Sequence, residues 1–366
     1  MPSRARGDGG HAANDVLRSG AVAPSLAPEA LETEEAPPSL TSRLFTIRTL
    51  VSIAAALVIV GVAVWRAPIN WGDALTRIKH ADPLLYVAAL GAFYVSFLVR
   101  AIRWRLLLAN AGEVRPIRAV AGPILISYFV NCVVPAKMGD VYRAYLARVR
   151  LNVSASKALG TVIAERLVDL CVLMGLLLIA GAVAFQRKAP NFLIPYLLAG
   201  ALVCIAGIGV ILTMRAGRGQ RVLRLLPEAV FHRYEHFRLG TVHSLRRLPY
   251  VIALTGLVWA LESTRLALVV FSLGYGSLMT PSQFLLVALV AALLTTIPFL
   301  PGGLGLVEAG MTGVLIAVAG LGQQVAISIT LLDRSISYGS LLVIGFIVFA
   351  LSHSHAVGAR TAHARG

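Results

Sequence analysis

Apolar residues in this chain run in long unbroken stretches instead of alternating along strands or marking one face of short helices. The stretches 44–65, 83–104, 155–185, 192–213, 249–273 and 324–350 each reach the roughly 20 residues a helix needs to cross a bilayer core. They predict about six full spans. Two further apolar regions, 119–150 and 281–320, are interrupted by polar residues, glycine and proline. Short alternating segments of the kind that build a transmembrane barrel are absent. The fold class that follows is all-α, a polytopic integral membrane protein.

Polar positions organise the rest. Residues 1–43 are rich in Ala, Pro, Glu, Ser and Arg with almost no aromatics, which reads as a disordered tail. They do not read as a signal peptide, because no apolar h-region follows the early arginines, and the first apolar run, from near Leu44, is expected to serve as an uncleaved signal anchor. Residues 44–350 form one transmembrane domain, and 351–366 a second tail. Segment 214–248 holds eight arginines and is placed in the cytoplasm by the positive-inside rule. Segments 100–118 and 137–157 each hold five Lys or Arg. Both fall inside if 119–150 enters and leaves the membrane on the cytoplasmic side. Connections 274–281 and 320–327 hold no charge, so 281–320 is expected to be re-entrant from outside. Both termini then lie in the cytoplasm.

That topology makes two inverted halves, about 44–185 and 192–350. Polar landmarks recur in order. The first half carries Arg100 and Arg103, then Asn131, Pro135, Gly139, Asp140 and Arg143, then Glu165, Arg166 and Asp169. The second carries Glu262 and Arg265, then Pro298, Pro301, Gly302, Gly303, Gly305 and Glu308, then Asp333 and Arg334. Inverted repeats with broken helices are a transporter architecture. Irregular backbone at membrane depth must be buried in protein or line a watery cavity, because lipid cannot satisfy its N–H and C=O groups.

Composition agrees with a membrane chain: 57% hydrophobic, 14% charged, against about a quarter charged in soluble domains. The net charge of +16 lies beside apolar runs, which fits orientation and anionic headgroups and not nucleic acid. Eight ionisable residues fall in or near the hydrocarbon zone: Glu165, Arg166, Asp169, Glu262, Arg265, Glu308, Asp333 and Arg334. At roughly 2.5–3.5 kcal/mol each, facing lipid would cost on the order of 20 kcal/mol. They must pair or face water. Spacing lets Arg166 reach Asp169 and Glu262 reach Arg265. Arg103 reads most simply as a positive-inside residue, and Trp65, Trp71 and Trp104 as interfacial anchors. The i, i+4 pair His232 and His236 lacks a metalloprotease pattern. No metal site, cofactor or catalytic set is expected.

Five stretches resemble the lysylphosphatidylglycerol synthase transmembrane-region, or flippase-like, membrane family: RAIRW, NCVVPAKMGDVYR, AERLVD, PFLPGGLGLVE and DRSISY. The resemblance covers roughly 45–350 and implies a flippase-type role for a lipid or polyprenyl-linked substrate. The synthase activity of some members is not implied, since both ends read as tails with no room for an aminoacyl transferase. The expected function is an inner-membrane transporter moving an anionic phospholipid or polyprenyl-linked lipid between leaflets. Its expected site residues are Arg103, Asn131, Asp140, Arg143, Glu165, Arg166, Asp169, Glu262, Arg265, Glu308, Asp333 and Arg334. The alternative is a non-catalytic subunit that presents a glycolipid or hopanoid-pathway lipid to a separate transferase. A lipid-modifying enzyme is the weakest reading, because no nucleophile–base set or nucleotide motif is present.

Overall fold

The computed structural model describes residues 70–184, 194–217, 227–297 and 300–363. The expected tail at 1–43, the span at 44–65, Pro298, and part of the basic segment lie outside these residues. The described residues fall within one compact unit, and all their regular structure is helical.

A short helix α1 (Trp71–Lys79) leads into α2 (Pro83–Asn110). Asp82 starts α2, its side chain accepting from the Leu84 and Leu85 amides, with proline at the first helical position. Both features satisfy or remove amides that a helix start leaves unpaired. At 28 residues, α2 is about 42 Å long. It lies against α8 (Leu248–Ser272), and this pair is the most extensive helix contact. Their direction is fixed at both ends. The Asp82 amide donates to the Ser272 carbonyl at 2.8 Å, and Asn110 Nδ2 donates to the Ser244 carbonyl at 2.8 Å. The two helices are therefore antiparallel.

Two pairs of short helices flank this central pair. The first is α3 (Ile117–Val133) and α4 (Met138–Leu151); helix α5 (Ala155–Ala184) follows. The chain then continues through α6 (Ile194–Arg215) and α7 (Glu228–Ser244) into α8. The second short pair is α9 (Pro281–Thr295) and α10 (Leu306–Ala319). Helix α11 (Gln323–Arg334) then passes through a π-helical turn, Ser335–Ser340, into α12 (Leu341–His363). Single π turns insert one extra residue and recur at functional sites.

Each short pair is a hairpin whose two open ends adjoin. Arg115, just before α3, donates through Nε to the Leu151 carbonyl at 2.8 Å at the end of α4. Gln283, in the first turn of α9, donates to the Val318 carbonyl at 2.8 Å near the end of α10. The first hairpin opens where α2 ends and α8 begins, and the second follows the opposite end of α8. The closed tips consequently meet between them. Tyr338 of the π turn donates its hydroxyl to the Cys132 carbonyl at 3.2 Å, and the 3-10 turn at Pro301–Gly303 packs against α3.

Backbone chemistry explains the tips. Val134 is extended, and Ala136 and Lys137 take φ of 62° and 54°. The Gly139 amide then donates to Asn131 Oδ1 at 2.8 Å. A Cβ at Gly139 would fall 1.9 Å from the Ser127 carbonyl oxygen, so the close packing of α4 on α3 that allows this cap requires glycine. In the second tip, Gly302, Gly303 and Gly305 all have positive φ, a conformation glycine adopts without a Cβ penalty.

Among the described residues, six stretches are long and apolar enough to cross a membrane: 83–110, 155–184, 198–215, 228–272, 301–319 and 323–352. Five match the sequence expectation. The sixth, 301–319, comes from the region read as interrupted, because its turn joins α10 without a gap. Ile117–Val133 and Pro281–Thr295 are apolar but shorter.

Candidate functional site

Polar side chains on the helices facing the hairpins form two sets of ion pairs. In the first, Arg103 of α2 donates through Nη2 to Glu165 Oε1 at 2.6 Å and pairs closely with Asp169. It also donates to Thr255 Oγ1 at 2.7 Å. Arg143 of α4 donates to the other Glu165 oxygen at 2.8 Å and lies over the Trp104 ring. Arg166 grips Asp140 with Nε at 2.8 Å and Nη2 at 2.6 Å. Two donors from one planar guanidinium on two carboxylate oxygens is its most directional arrangement.

The second set repeats the plan. Arg265 of α8 pairs with Asp333 of α11 and with Glu262 at 3.2 Å. Arg334 donates through Nε to Glu308 Oε1 at 2.7 Å and through Nη2 to the Gly302 carbonyl at 3.0 Å. The other Glu308 oxygen accepts from the Gly305 amide at 2.6 Å, capping α10. The Arg166–Asp140 and Arg334–Glu308 pairs each join residues 26 apart in sequence. The sets are linked by Arg100, which donates to Glu262 at 2.9 Å and to the Tyr128 hydroxyl at 2.8 Å.

Between the hairpin tips lies a cavity of about 200 Å³, enough for several waters or a small polar group. Five cations line it: Arg100, Lys137, Arg166, Arg265 and Arg334. Three carboxylates, from Asp169, Glu262 and Asp333, face them. Aromatic rings complete the wall, including Tyr128, Trp259 and Tyr338. A chamber with more positive than negative groups and a low-dielectric wall concentrates anions.

The structure sorts the expected site residues into two layers. Asn131, Arg166, Asp169, Glu262, Arg265, Asp333 and Arg334 reach the cavity, together with Gly302 at the tip. Arg103, Asp140, Arg143, Glu165 and Glu308 stand behind this wall and hold it. Pro301, Gly303 and Gly305 shape the second tip, and Pro135 and Gly139 the first. Two expectations are corrected. Arg103 is not a positive-inside surface residue, since its side chain is fully buried among carboxylates. Trp104 is not an interfacial anchor; it is fully buried and donates to Thr161 at 3.1 Å. Arg166 finds its main partner in Asp140, and Asp169 lies at 3.9 Å. Arg100, Lys137, Tyr128, Trp259 and Tyr338 join the site from outside the expected set. Lys137 carried one signal: a basic residue flanked by Pro135 and Gly139 in a helix break.

Outward faces are apolar instead. Leu198, Leu202 and Ile205 of α6 are exposed. A helical chain with apolar outer faces and an ion-paired internal cavity is a multi-pass membrane protein, and the comparisons agree. Residues 52–345 match the family described as Lysylphosphatidylglycerol synthase TM region, and the chain belongs to it. A UPF0104 membrane protein of Methanocaldococcus jannaschii is 32% identical over 222 residues, 60% of this chain and 93% of that protein. One from Methanothermobacter thermautotrophicus is 25% identical over 325 residues, 80% of this chain and 93% of that protein. Glycosyltransferase AglD of Haloferax volcanii is 26% identical over 348 residues, 84% of this chain but 54% of that protein.

Proposed function

We propose that this chain moves an anionic lipid between bilayer leaflets, with the headgroup passing through the cavity between the hairpin tips. The two hairpins are re-entrant, entering from opposite faces, and the halves form an inverted repeat. The adjoining hairpin ends at Arg115–Leu151 and Gln283–Val318 and the antiparallel α2–α8 pair support this topology. The single observation that carries the function is that both tips meet at a cavity lined by five cations and three carboxylates. A charged chamber within membrane-spanning helices supports a substrate pathway through the protein. Acyl chains would remain in lipid along the apolar outer faces while the headgroup crosses in the cavity. The process breaks no covalent bond, and the chain is read as a non-enzyme in the inner membrane with both termini cytoplasmic.

The test is leaflet exchange in liposomes. Reconstituted wild-type protein is expected to expose fluorescent phosphatidylglycerol from the inner leaflet, and the Arg166→Gln/Arg334→Gln double variant to lose that exchange. Equal exchange by both proteins would remove the reading. Topology has its own check. Cysteines introduced at 115 and 152 should label from one face of the membrane, and those at 278 and 323 from the other.

A second reading has a specific support. The relative named as a glycosyltransferase aligns to this chain over little more than half its length, so a region similar to this chain and further sequence share one polypeptide there. By analogy, this chain would present a lipid to a separate transferase. Co-purification with such an enzyme, together with no exchange by the isolated chain, would favour that role.

A further inference from the structure

The ion pairs can be balanced group by group. Arg103, Arg143 and Arg166 meet Asp140, Glu165 and Asp169. Arg100, Arg265 and Arg334 meet Glu262, Glu308 and Asp333. Each set is neutral. Lys137 is left over, and among the described residues no carboxylate lies within ion-pair distance of it, although it lines the cavity. Its backbone φ of 54° at the hairpin tip, directly before the α4 N-terminus, fixes it there. Two donors on the same walls also lack an acceptor in the protein: Trp259 Nε1 and Arg100 Nε. Both side chains are more than nine-tenths buried.

A cavity wall that carries one half-buried positive charge with no carboxylate at ion-pair distance is matched best by one negative charge. We infer that Lys137 takes the phosphate of the ligand, and that the cavity selects a phosphodiester with a single negative charge over a phosphomonoester or pyrophosphate. A phosphomonoester carries about −1.5 to −2 at neutral pH and would reverse the imbalance. The six arginines hold the walls in register, and Lys137 supplies the net attraction. This rests on the reading of the cavity as a lipid headgroup site and names its headgroup class.

The experiment titrates the full chain in neutral detergent with short-chain phosphatidylglycerol, short-chain phosphatidic acid and soluble glycerophosphoglycerol. Phosphatidylglycerol should bind tightest. Lys137→Gln should weaken it about tenfold or more, the value of one charge-assisted hydrogen bond, while Lys137→Arg keeps most of the affinity. An unchanged melting temperature for Lys137→Gln shows that the loss is local. Wild-type preference for phosphatidic acid, or undiminished phosphatidylglycerol binding by a folded Lys137→Gln, overturns the inference and leaves lipid transport standing. Equal affinity for glycerophosphoglycerol supports the role of Lys137 and overturns the lipid reading. Failure of the wild type to bind any of the three overturns both.

Discussion

The first set of ion pairs is braced by side chains and the second by backbone. Glu165 holds two arginines, Arg103 and Arg143, on separate helices. Its counterpart Asp333 pairs with Arg265 alone. Asp140 likewise meets both Arg166 and Arg143, while Glu308 meets Arg334 and spends its second oxygen on the Gly305 amide. Arg143 is the arginine that bridges the two carboxylates Asp140 and Glu165 in the first set. The second tip substitutes three glycines with positive φ and a guanidinium on the Gly302 carbonyl. Exposure does not divide the sets: the outer pairs Arg166–Asp140 and Arg334–Glu308 are both partly exposed, and the inner pairs Arg103–Glu165 and Arg265–Asp333 are both buried. A carboxylate shared by two buried cations is the less replaceable arrangement, since losing it strands both.

The largest expected effect therefore belongs to Glu165→Gln. The substitution keeps volume and shape but removes the charge between Arg103 and Arg143. Breaking a buried pair from one side costs about 3–5 kcal/mol, and here Arg143 keeps only the longer contact to Asp140 at 3.5 Å. A large fall in the melting temperature of detergent-solubilised protein is expected. Asp333→Asn, which strands one arginine that retains Glu262, should fall less. Equal losses would erase the distinction between the halves.

Gly305→Ala examines the other side. Its φ of 81° and ψ of −49° suit glycine and strain an L-residue by about 1–3 kcal/mol. The same residue donates the amide that Glu308 caps, so strain here also loosens Arg334. A moderate loss of thermal stability should accompany a loss of leaflet exchange. A stable variant with full exchange would show that the second tip does not depend on its backbone.

Much of this plan was legible in the sequence because intramembrane charge is costly enough to demand a partner. The apolar runs placed α2, α5, α6, α8 and the α11–α12 stretch. The recurring acid–arginine dipeptides, Glu165–Arg166 and Asp333–Arg334, marked both walls. What could not be read was pairing across helices. Spacing offers Arg166 only its own-helix neighbour Asp169, whereas the preferred Asp140 lies 26 residues away on another helix. Arg103 looked like a topogenic charge because its partners Glu165 and Asp169 come together with it only through packing of α2 on α5. Trp104 misled for the same reason: the indole that suits an interface also fills a core when Thr161 accepts its N–H. Lys137 was hidden by being one basic residue among five in its segment.

The smallest effect tests how the halves are joined at Arg103. Thr255 belongs to α8, while Arg103 and its carboxylates belong to the first half. Thr255 Oγ1 accepts from Arg103 Nη1 at 2.7 Å and donates its own proton to the Val251 carbonyl at 2.8 Å. Thr255→Val keeps the branched shape in a fully buried site and removes that acceptor. Arg103 Nη1 remains on Asp169, so the cost should be about 1 kcal/mol, that of a single hydrogen bond. Residues sharing one partner do not act independently. In a Glu165→Gln background Arg103 is already short of an acceptor, and the Thr255 hydroxyl becomes one of the few left to it. The penalty of Thr255→Val should then grow beyond its value in the wild type. Strictly additive melting shifts would mean that Arg103 is held by Asp169 alone, and that the first half is joined to the second here by packing and not through this arginine.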